Sequence, residues 1–373
     1  MSELLPITIA SIILALLSHF FSKYDKLNNR YERKERLFYS IMAVTMVLFV
    51  GLRTGYNDTG TYQLIYEAIP KDVDLFEGIE WLKVGENPGF TVTNRILVRL
   101  GFSTQSFLMF YAAITVTIYL WFIRKYSCNI WLSVFLLITM GVYTFTLAAI
   151  KQCVSVAFCL LATDRALRKK YISFVLWILV GTLYHPYALM YLIVPLLVFR
   201  PWSVWTYIAL VVFALVGAFM ESLIGTVVDI TDLLGENYDA ESFTGEGINP
   251  FRLAVISVPT LVSCVTQSVI ARRDDKENNL FINLSALNAE IMFVGLFGTA
   301  NYFGRLANYF LIFQTISLPW IFTHFKKESK IVITTVAVVC YFGYYVFSNA
   351  IHESFDQHFY STTLWEYLQS LFQ

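Results

Sequence analysis

Apolar segments near 20 residues long recur from one end of this 373-residue chain to the other, and they constrain its fold most. About 20 apolar residues are what an α-helix needs to cross a hydrocarbon core of about 30 Å. Only 14% of the residues are charged, whereas soluble domains carry about 25%. We therefore predict an all-α polytopic membrane protein. Soluble domains, disordered chains and nucleic-acid-binding proteins are excluded as classes.

The apolar segments number about twelve, and the connections between most of them are too short for a soluble domain. We therefore predict a single transmembrane domain over residues 1–373, with two long connections at about 54–103 and 222–251 that have room for surface helices. The segments lie at roughly 4–22, 37–53, 104–123, 129–148, 150–164, 171–184, 186–199, 203–221, 252–270, 281–299, 303–322 and 331–350.

Lysine and arginine are unevenly distributed among the connections, and their distribution predicts the orientation. Basic residues are retained on the cytoplasmic side of a membrane. The connections that alternate to one side carry nineteen of the 27 basic residues, beginning with six between Lys23 and Arg36. That side is predicted to be cytoplasmic, which places both termini and the two long, acidic connections outside.

The apolar segment 171–199 tests this orientation, because it is long enough for one tilted span. A single span would move every later basic connection to the outside. We therefore predict a break at Tyr184-His185-Pro186, with two helices that are each too short to cross and that meet below the outer surface. Broken backbone is tolerated only beside protein or a water-filled cavity, so His185 is predicted at the floor of a cavity that opens outward.

Three of the cations on the predicted outer side lie at the ends of apolar spans. They are Arg53, Lys151 and Arg305, and a charge at such a position costs up to a few kcal/mol unless it reaches water, pairs or lines a cavity. Snorkelling to the interface, or pairing with the acidic connections, is the structural alternative. Because the three come from separate helices on the side of His185, they also indicate a shared anion site, and guanidinium groups match phosphate oxygens.

The segment 51–62, at the outer end of the second span, is rich in glycine and polar side chains. It places Arg53, Asn57, Asp58 and Tyr62 at the membrane edge, where they can hydrogen-bond a polar ligand.

Other polar residues give weaker signals. Five cysteines lie mostly within apolar runs and lack ligand spacing, so we predict neither a metal site nor disulfides. Asp72 and Asp74 imitate the acidic pair of nucleotide-sugar transferases, but they lie on the outer side, where nucleotide sugars are not expected. Glu290, near the middle of a span, is either a structural partner for another polar residue or part of a proton path. No cofactor is predicted.

Five short patterns follow one another along roughly residues 35–320. They are Gly51-Leu-Arg53 with Gly55, Asp58 and Tyr62; Asn87-Pro-Gly-Phe90; Lys151-Gln152 followed by Ser155; Tyr184-His185; and Arg305-Leu-Ala-Asn-Tyr309. In this order and spacing the chain resembles the Wzy/EpsG-like polysaccharide polymerases of bacteria. The family usually has arginine where this chain has Lys151. The positive charge is kept, but lysine lacks the guanidinium group that can donate two parallel hydrogen bonds.

The resemblance implies a function at the outer face of the bacterial cytoplasmic membrane, on a GT-C-like, all-helical architecture. The implied substrates are undecaprenyl-diphosphate-linked oligosaccharides, whose repeat units would be joined into O-antigen, capsule or exopolysaccharide. We expect an inverting glycosyl transfer without nucleotide sugars. A chain-length regulator protein is a further implied partner, and the sugars and the linkage stay open.

Such a transfer needs a base for the acceptor hydroxyl and cations for the departing diphosphate. We assign His185 as the base ahead of Asp58, because the reference pKa of histidine lies near neutrality. In a second interpretation, Asp58 orients His185 or binds a sugar hydroxyl. In a third, His185 has only a structural role at the break in the helix. The predicted substrate contacts are Arg53, Lys151, Arg305, the weaker candidate Arg95, and Gln152, Tyr62, Asn57 and Tyr309.

Two other functions compete with the polymerase. A flippase or transporter for lipid-linked glycans is also built from about twelve to fourteen spans, but transporters usually show internal repeats and short loops. We detect no repeat in this chain, and its two long connections are unequal. A ligase or single-sugar transferase acting on lipid-linked glycans is the second alternative.

Overall fold

The computed structural model describes residues 1–25, 30–235, 247–272, 275–352 and 355–371, and it is 76% helical. Four short strands accompany the helices: β1 Lys23–Asp25, β2 Arg30–Arg33, β3 Arg53–Gly55 and β4 Tyr360–Ser361. The helices are α1 Leu4–Phe20, α2 Leu37–Gly51, α3 Thr59–Glu67, α4 Pro88–Arg99, α5 Thr104–Tyr126, α6 Ile130–Thr139, α7 Val142–Ala148, α8 Ile150–Leu167, α9 Tyr171–Thr182, α10 Val204–Ala218, α11 Met220–Leu233, α12 Pro250–Val265, α13 Gln267–Ile270, α14 Lys276–Val294, α15 Ala300–Phe322, α16 Lys327–Val346, α17 Phe355–His358 and α18 Leu364–Ser370. Val84–Glu86 and Pro186–Leu197 are 3-10 helices, and Phe347–His352 is a π-helix.

Every apolar segment predicted from the sequence coincides with helical structure, so the all-helical prediction is confirmed for these segments. Two described helices, Thr104–Tyr126 and Lys327–Ile351, are long and apolar enough to cross a membrane by themselves, and there are four such spans if each of two bent pairs counts as one. Five other described apolar helices, such as Leu37–Gly51, have only 10–17 residues. Twelve crossings therefore stay a prediction. The predicted connection 222–251 falls partly on residues 236–246, outside the described residues.

The helices at the centre of the bundle are buried, and those at its edge expose apolar side chains. Phe310, Phe313 and Ile316 in α15 are fully buried, and every residue of α6 is buried except Trp131, which is partly so. At the edge, Val211 in α10 is 59% exposed. Soluble monomers rarely expose a continuous apolar surface, whereas lipid tails cover one without cost. The burial pattern supports a membrane protein.

The segment predicted as one span at 129–148 is bent by 47° between α6 and α7. Gly141 begins α7 with φ +84°, a conformation that a residue with a Cβ adopts only with strain. Thr139 and Met140 lie at this bend, and both line a cavity described below.

The predicted break at Tyr184-His185-Pro186 is present. Helix α9 ends at Thr182, His185 is extended with φ −161° and ψ 126°, and the 3-10 helix begins at Pro186. At about 1.5 and 2.0 Å per residue, each of these 12-residue elements is shorter than a hydrocarbon core of about 30 Å. They pack closely: a Cβ at Gly181 would lie 3.3 Å from the Cβ of Ala188.

Helix α4 is attached to this break through its first turn. The Gly89 amide donates a hydrogen bond of 2.8 Å to the Leu183 carbonyl. A Cβ at Gly89 would lie only 2.7 Å from the Cβ of Leu183, so no larger residue fits at this contact. The Asn87-Pro-Gly-Phe90 pattern therefore has a structural cause in the docking of α4 on the end of α9.

Two small antiparallel sheets, which the all-α prediction missed, join segments outside the helices. Strand β1 pairs with β2 in the connection before α2. Strand β3 pairs with β4, which places Gly55 opposite Tyr360, and the Thr362 amide donates to the Leu52 carbonyl at 2.9 Å. The segment after α16 is thus fixed against the polar segment that follows α2.

Candidate active site

A cavity of about 1200 Å³ opens at one end of the bundle, on the side predicted to be external. Its described walls come from segments far apart in the chain: residues 56–62, the bend between α6 and α7, the first turn of α8, the break at His185, residues 247–252, the first half of α15, and the end of α16 with the π-helix. His185, which the sequence places at the floor of an outward-opening cavity, is among the residues that line this one.

His185 is held by a closed ring of three hydrogen bonds. Its Nδ1 lies 3.0 Å from the Tyr309 hydroxyl, the Tyr309 hydroxyl donates to Ser155 Oγ at 3.0 Å, and Ser155 Oγ donates to the His185 carbonyl at 3.4 Å. Each hydroxyl has one proton to give. Because the proton of Tyr309 goes to Ser155, the remaining proton of the ring must come from Nδ1.

This direction of donation fixes the tautomer of His185. With the proton on Nδ1, the neutral imidazole carries its lone pair on Nε2. His185 is only 9% exposed but lines the cavity, so Nε2 is the nitrogen available to a molecule there. Tyr309, and not Asp58, is the residue that orients the ring; no hydrogen bond joins the described side chains of Asp58 and His185.

Three cationic side chains are among the described residues that line the cavity: Lys151, Arg252 and Arg305. Lys151 lies in the first turn of α8, where its Nζ is 5.6 Å from the centre of the Phe90 ring. Arg252 and Arg305 lie in the first two turns of α12 and α15. The cations therefore come from three different helices, as an anion site of several donors requires.

Gln152 is adjacent to Lys151 and joins two walls of the cavity. Its side-chain amide donates to the Arg305 carbonyl at 2.6 Å, and Gln152 is 3% exposed. This contact fixes the first turn of α8 against α15. It therefore sets the spacing between the two helices that carry Lys151 and Arg305.

Asn57, Asp58 and Tyr62 line the cavity together, as their common segment predicts. Asp58 is the one carboxylate among the described lining residues. Burial raises the pKa of Tyr62 to about 12, the Asp58 carboxylate adds to the rise and Arg305 opposes it. Tyr62 therefore keeps its proton at neutral pH, and it lies within electrostatic range of both an anion and a cation.

Arg53 does not line the cavity, in contrast to its predicted place among the substrate contacts. It is 1% exposed, its Nε donates to Thr59 Oγ1 at 3.1 Å and its Nη1 donates to the Val50 carbonyl at 2.5 Å. Its guanidinium thus joins the end of α2 to the start of α3, on either side of the segment that carries Asn57 and Asp58. The structure places Arg53 behind the cavity wall.

Arg95 and Tyr309 also lie away from the cavity lining. Arg95 donates to the carbonyls of Asp74 at 2.9 Å and Glu77 at 2.8 Å, which binds the connection after α3 to α4. Asp74 in turn accepts the Phe76 amide at 2.8 Å, a local turn contact. Tyr309 is fully buried, and its hydroxyl contacts the ring of the cavity-lining His185.

Arg252 and Asn308 line the cavity but were not among the predicted site residues. For Arg252 the sequence did hold a signal, since it is one of the eight basic residues on the predicted outer side. Asn308 lies one turn after Arg305 on α15, so the spacing of that motif indicates a shared face. Asn87, from the Asn-Pro-Gly-Phe pattern, lines the cavity as well.

The remaining polar signals lie outside this site. Glu290 is 6% exposed on α14 and makes no hydrogen bond or ion pair to any residue that the structure describes. The cysteines are free, and the described part of the chain holds no group of three or more side chains that is suited to a metal ion.

A family model described as the EpsG family matches residues 36–365, which is most of the chain and includes every described residue that lines the cavity. No curated protein and no solved structure matches.

Proposed function

Because the chain belongs to the EpsG family of polysaccharide polymerases, we propose that it joins undecaprenyl-diphosphate-linked oligosaccharide repeat units into a longer glycan. The reaction takes place at the outer face of the bacterial cytoplasmic membrane, in a GT-C-like bundle of about twelve spans. The transfer inverts the anomeric carbon. Whether the product is O-antigen, capsule or exopolysaccharide depends on the glycan supplied, and a chain-length regulator is a proposed partner.

The observation that carries this proposal is the composition of the main cavity. Its described lining residues include one histidine with an available Nε2, one carboxylate and three cations from separate helices. A diphosphate leaving group and a sugar hydroxyl require these groups together: cations for the developing negative charge and a base for the proton.

The proposed step is a single displacement. The acceptor hydroxyl oxygen attacks the anomeric carbon of the growing glycan and forms the new glycosidic bond. The bond between that carbon and the diphosphate oxygen breaks, and its electron pair leaves with the lipid diphosphate. The hydroxyl proton passes to the base, so the atoms and charges balance.

His185 is the better candidate for the base, because the hydrogen-bond ring leaves the lone pair of Nε2 to the cavity. Asp58 is exposed at the mouth of the site, on a segment that also carries Asn57. Asp58 is therefore assigned one of two roles: it binds a sugar hydroxyl, or it acts as a second proton acceptor. A histidine serving only to break the helix would need no such ring.

Arg305 and Arg252 are assigned to the diphosphate, because each guanidinium can donate two parallel hydrogen bonds to phosphate oxygens. Lys151 adds a point charge from the first turn of α8, where its Nζ lies 5.6 Å from the centre of the Phe90 ring. Arg53 supports this site indirectly, because it holds the segment that carries Asn57 and Asp58.

The test uses purified protein and lipid-linked repeat units extracted from cells in which this gene is deleted. The expected result is a ladder of products that grows by one repeat at a time. Arg305→Ala and His185→Ala should lower its rate by about 100-fold or more, because each removes a group that acts on the transition state. Arg252→Ala should have the same effect. Arg99→Ala, a cation on α4 outside the cavity, is the matched control.

Three other outcomes would contradict the proposal. Movement of lipid-linked glycan across vesicles without bond formation would indicate a flippase. Transfer of one glycan to a different acceptor, with no ladder, would indicate a ligase. A variant that makes the ladder at the wild-type rate would show that the substituted residue has no part in the mechanism. The configuration of the new glycosidic bond, measured by NMR, would decide whether the transfer inverts.

A further inference from the structure

A second cavity of about 410 Å³ lies beside the main one, and the two share Tyr56 and Asn57 in their walls. Its other described lining residues are Thr54, Gly55, Gly60, Gln357, His358 and Tyr360. Two chain-distant segments therefore build it: the polar segment after α2 and the segment 357–360. Because Asn57 and Tyr56 separate it from the main cavity, a ligand that passes over them would occupy both.

The walls of the second cavity are fixed by tertiary contacts. The pairing of β3 with β4 sets Gly55 against Tyr360, where a Cβ at Gly55 would lie 2.9 Å from Tyr360 Cδ2. The Tyr56 ring packs on the Phe355 ring with 4.7 Å between centroids. Arg53, which is paired with Ser361, anchors the start of the segment. The second cavity is thus a feature of the folded chain.

The lining chemistry differs sharply between the two cavities. The described residues of the second cavity include no lysine, arginine, aspartate or glutamate, whereas the main cavity has three cations and a carboxylate. In place of charge, the second cavity offers two side-chain amides, hydroxyl groups, an imidazole and tyrosine rings. The Tyr360 ring stands at its edge with Tyr360 63% exposed.

Hydrogen-bonding groups beside one exposed aromatic ring, that of Tyr360, suit a ligand that has many hydroxyls and no charge. The second cavity lacks the cations that a diphosphate needs, so it does not suit the carrier end of a substrate. It does suit the sugars that extend away from the reacting bond, because it continues the cavity in which that bond is made.

We infer that the second cavity is a subsite for uncharged sugar residues of the glycan, next to the transfer site. The inference rests on the proposed function and deepens it, since it assigns separate places to the charged and the uncharged parts of the substrates. The sugars come either from the acceptor unit or from the growing chain. Both present the same chemistry to the cavity, so the experiment must distinguish them.

Gly60 provides a way to fill the second cavity without disturbing its walls. A Cβ at Gly60 would meet nothing within 4 Å, and Gly60 lines the second cavity but not the main one. It is the second residue of α3, where a larger side chain is compatible with the helix. The matched control is Gly225→Trp, on an open face of α11 outside both cavities.

The first measurement is binding, by saturation-transfer NMR, of a one-repeat oligosaccharide released by mild acid from the lipid-linked glycans of the producing strain. We expect wild type and Gly225→Trp to transfer saturation to the sugars, and Gly60→Trp to lose at least three quarters of the signal. Equal signal from Gly60→Trp and wild type would overturn the inference. This readout does not depend on polymerisation, so it tests the subsite even if no ladder forms.

The second measurement is the polymerisation ladder. If the subsite holds the growing chain, Gly60→Trp makes the two-repeat product at the wild-type rate and stops there. If it holds the acceptor, the KM for the acceptor rises at least tenfold and kcat is kept. Gln357→Ala should show the same pattern more weakly. An unchanged ladder, or a loss of kcat with KM unchanged, would overturn the inference, whereas a wild-type protein that makes no ladder contradicts the proposed function instead.

Discussion

At the scale of single residues, the polar side chains of the sequence motifs divide into those that line the cavity and those that hold its walls in place. His185, Asp58, Lys151 and Arg305 face it, whereas Arg53 is buried behind it. A buried guanidinium is stable only when its donors are satisfied, and Arg53 gives two of them to Thr59 and Val50. A charge at the end of an apolar span therefore does not by itself identify a ligand contact.

Tyr309→Phe tests whether the hydrogen-bond ring positions His185. The change removes only the hydroxyl that accepts from Nδ1, so we expect kcat to fall by about threefold to tenfold, the cost of one hydrogen bond. The acid limb of the pH profile of kcat/KM should also move, because the tautomer is no longer fixed. A purely structural role of Tyr309 would leave that limb in place.

Tyr191→Phe is the control for this prediction. Tyr191 is fully buried nearby and its hydroxyl donates to the Tyr309 carbonyl at 2.5 Å, but it does not touch the His185 ring. We expect it to lower stability without moving the pH profile. A shift of equal size in both variants would contradict the assignment of Tyr309 as a positioning residue.

At the scale of elements, the cavity exists because helices are interrupted where uninterrupted spans would fill the bundle. Gly141 bends α6 into α7, and the Tyr184-His185-Pro186 break replaces one long helix by two short elements. The freed backbone is satisfied locally: the Tyr184 and His185 amides both donate to the Gly181 carbonyl at 3.0 Å. Interrupted helices beside a polar cavity are what a membrane interior tolerates.

Gly89→Ala tests the docking of α4 on this break. The added methyl group would lie 2.7 Å from the Leu183 Cβ and 3.0 Å from its carbonyl oxygen, so the two elements must separate. We expect a loss of about 1–3 kcal/mol in the free energy of unfolding, seen as a lower thermal midpoint in detergent. Gly225→Ala, at an open helix position, should be neutral or slightly stabilising. Equal midpoints for Gly89→Ala and wild type would show that the contact is loose.

At the scale of the whole molecule, the described chain is a bundle with an apolar edge, a buried centre and polar cavities at one end. The Leu82 side chain is 94% exposed in the connection after α3, and Lys125 pairs with Asp164 in a cluster of charges at the ends of α5 and α8. Leu82 lies on the side predicted to be external, and the charges around Asp164 lie on the side predicted to be cytoplasmic.

Cysteine labelling tests the orientation. In a Cys340→Ser background, Leu82→Cys and Leu233→Cys should react with a membrane-impermeant maleimide in intact spheroplasts, because both side chains are more than 80% exposed on the predicted outer side. Lys169→Cys should react only after permeabilisation. The reverse pattern would invert the topology and move the cavity to the cytoplasmic side, away from the proposed substrates.

The sequence alone determined the helical segments, the break at His185 and the grouping of Asp58, Lys151 and Arg305. These features depend on local causes, since a hydrocarbon core acts on each segment separately and Pro186 lacks the backbone N–H that a continuous helix would need at the break. Only the tertiary structure decided that Arg53 lies behind the wall, that Tyr309 orients His185 and that a second, uncharged cavity exists. Each of these depends on contacts between segments distant in the chain, such as β3 with β4, and no local pattern encodes which partners meet.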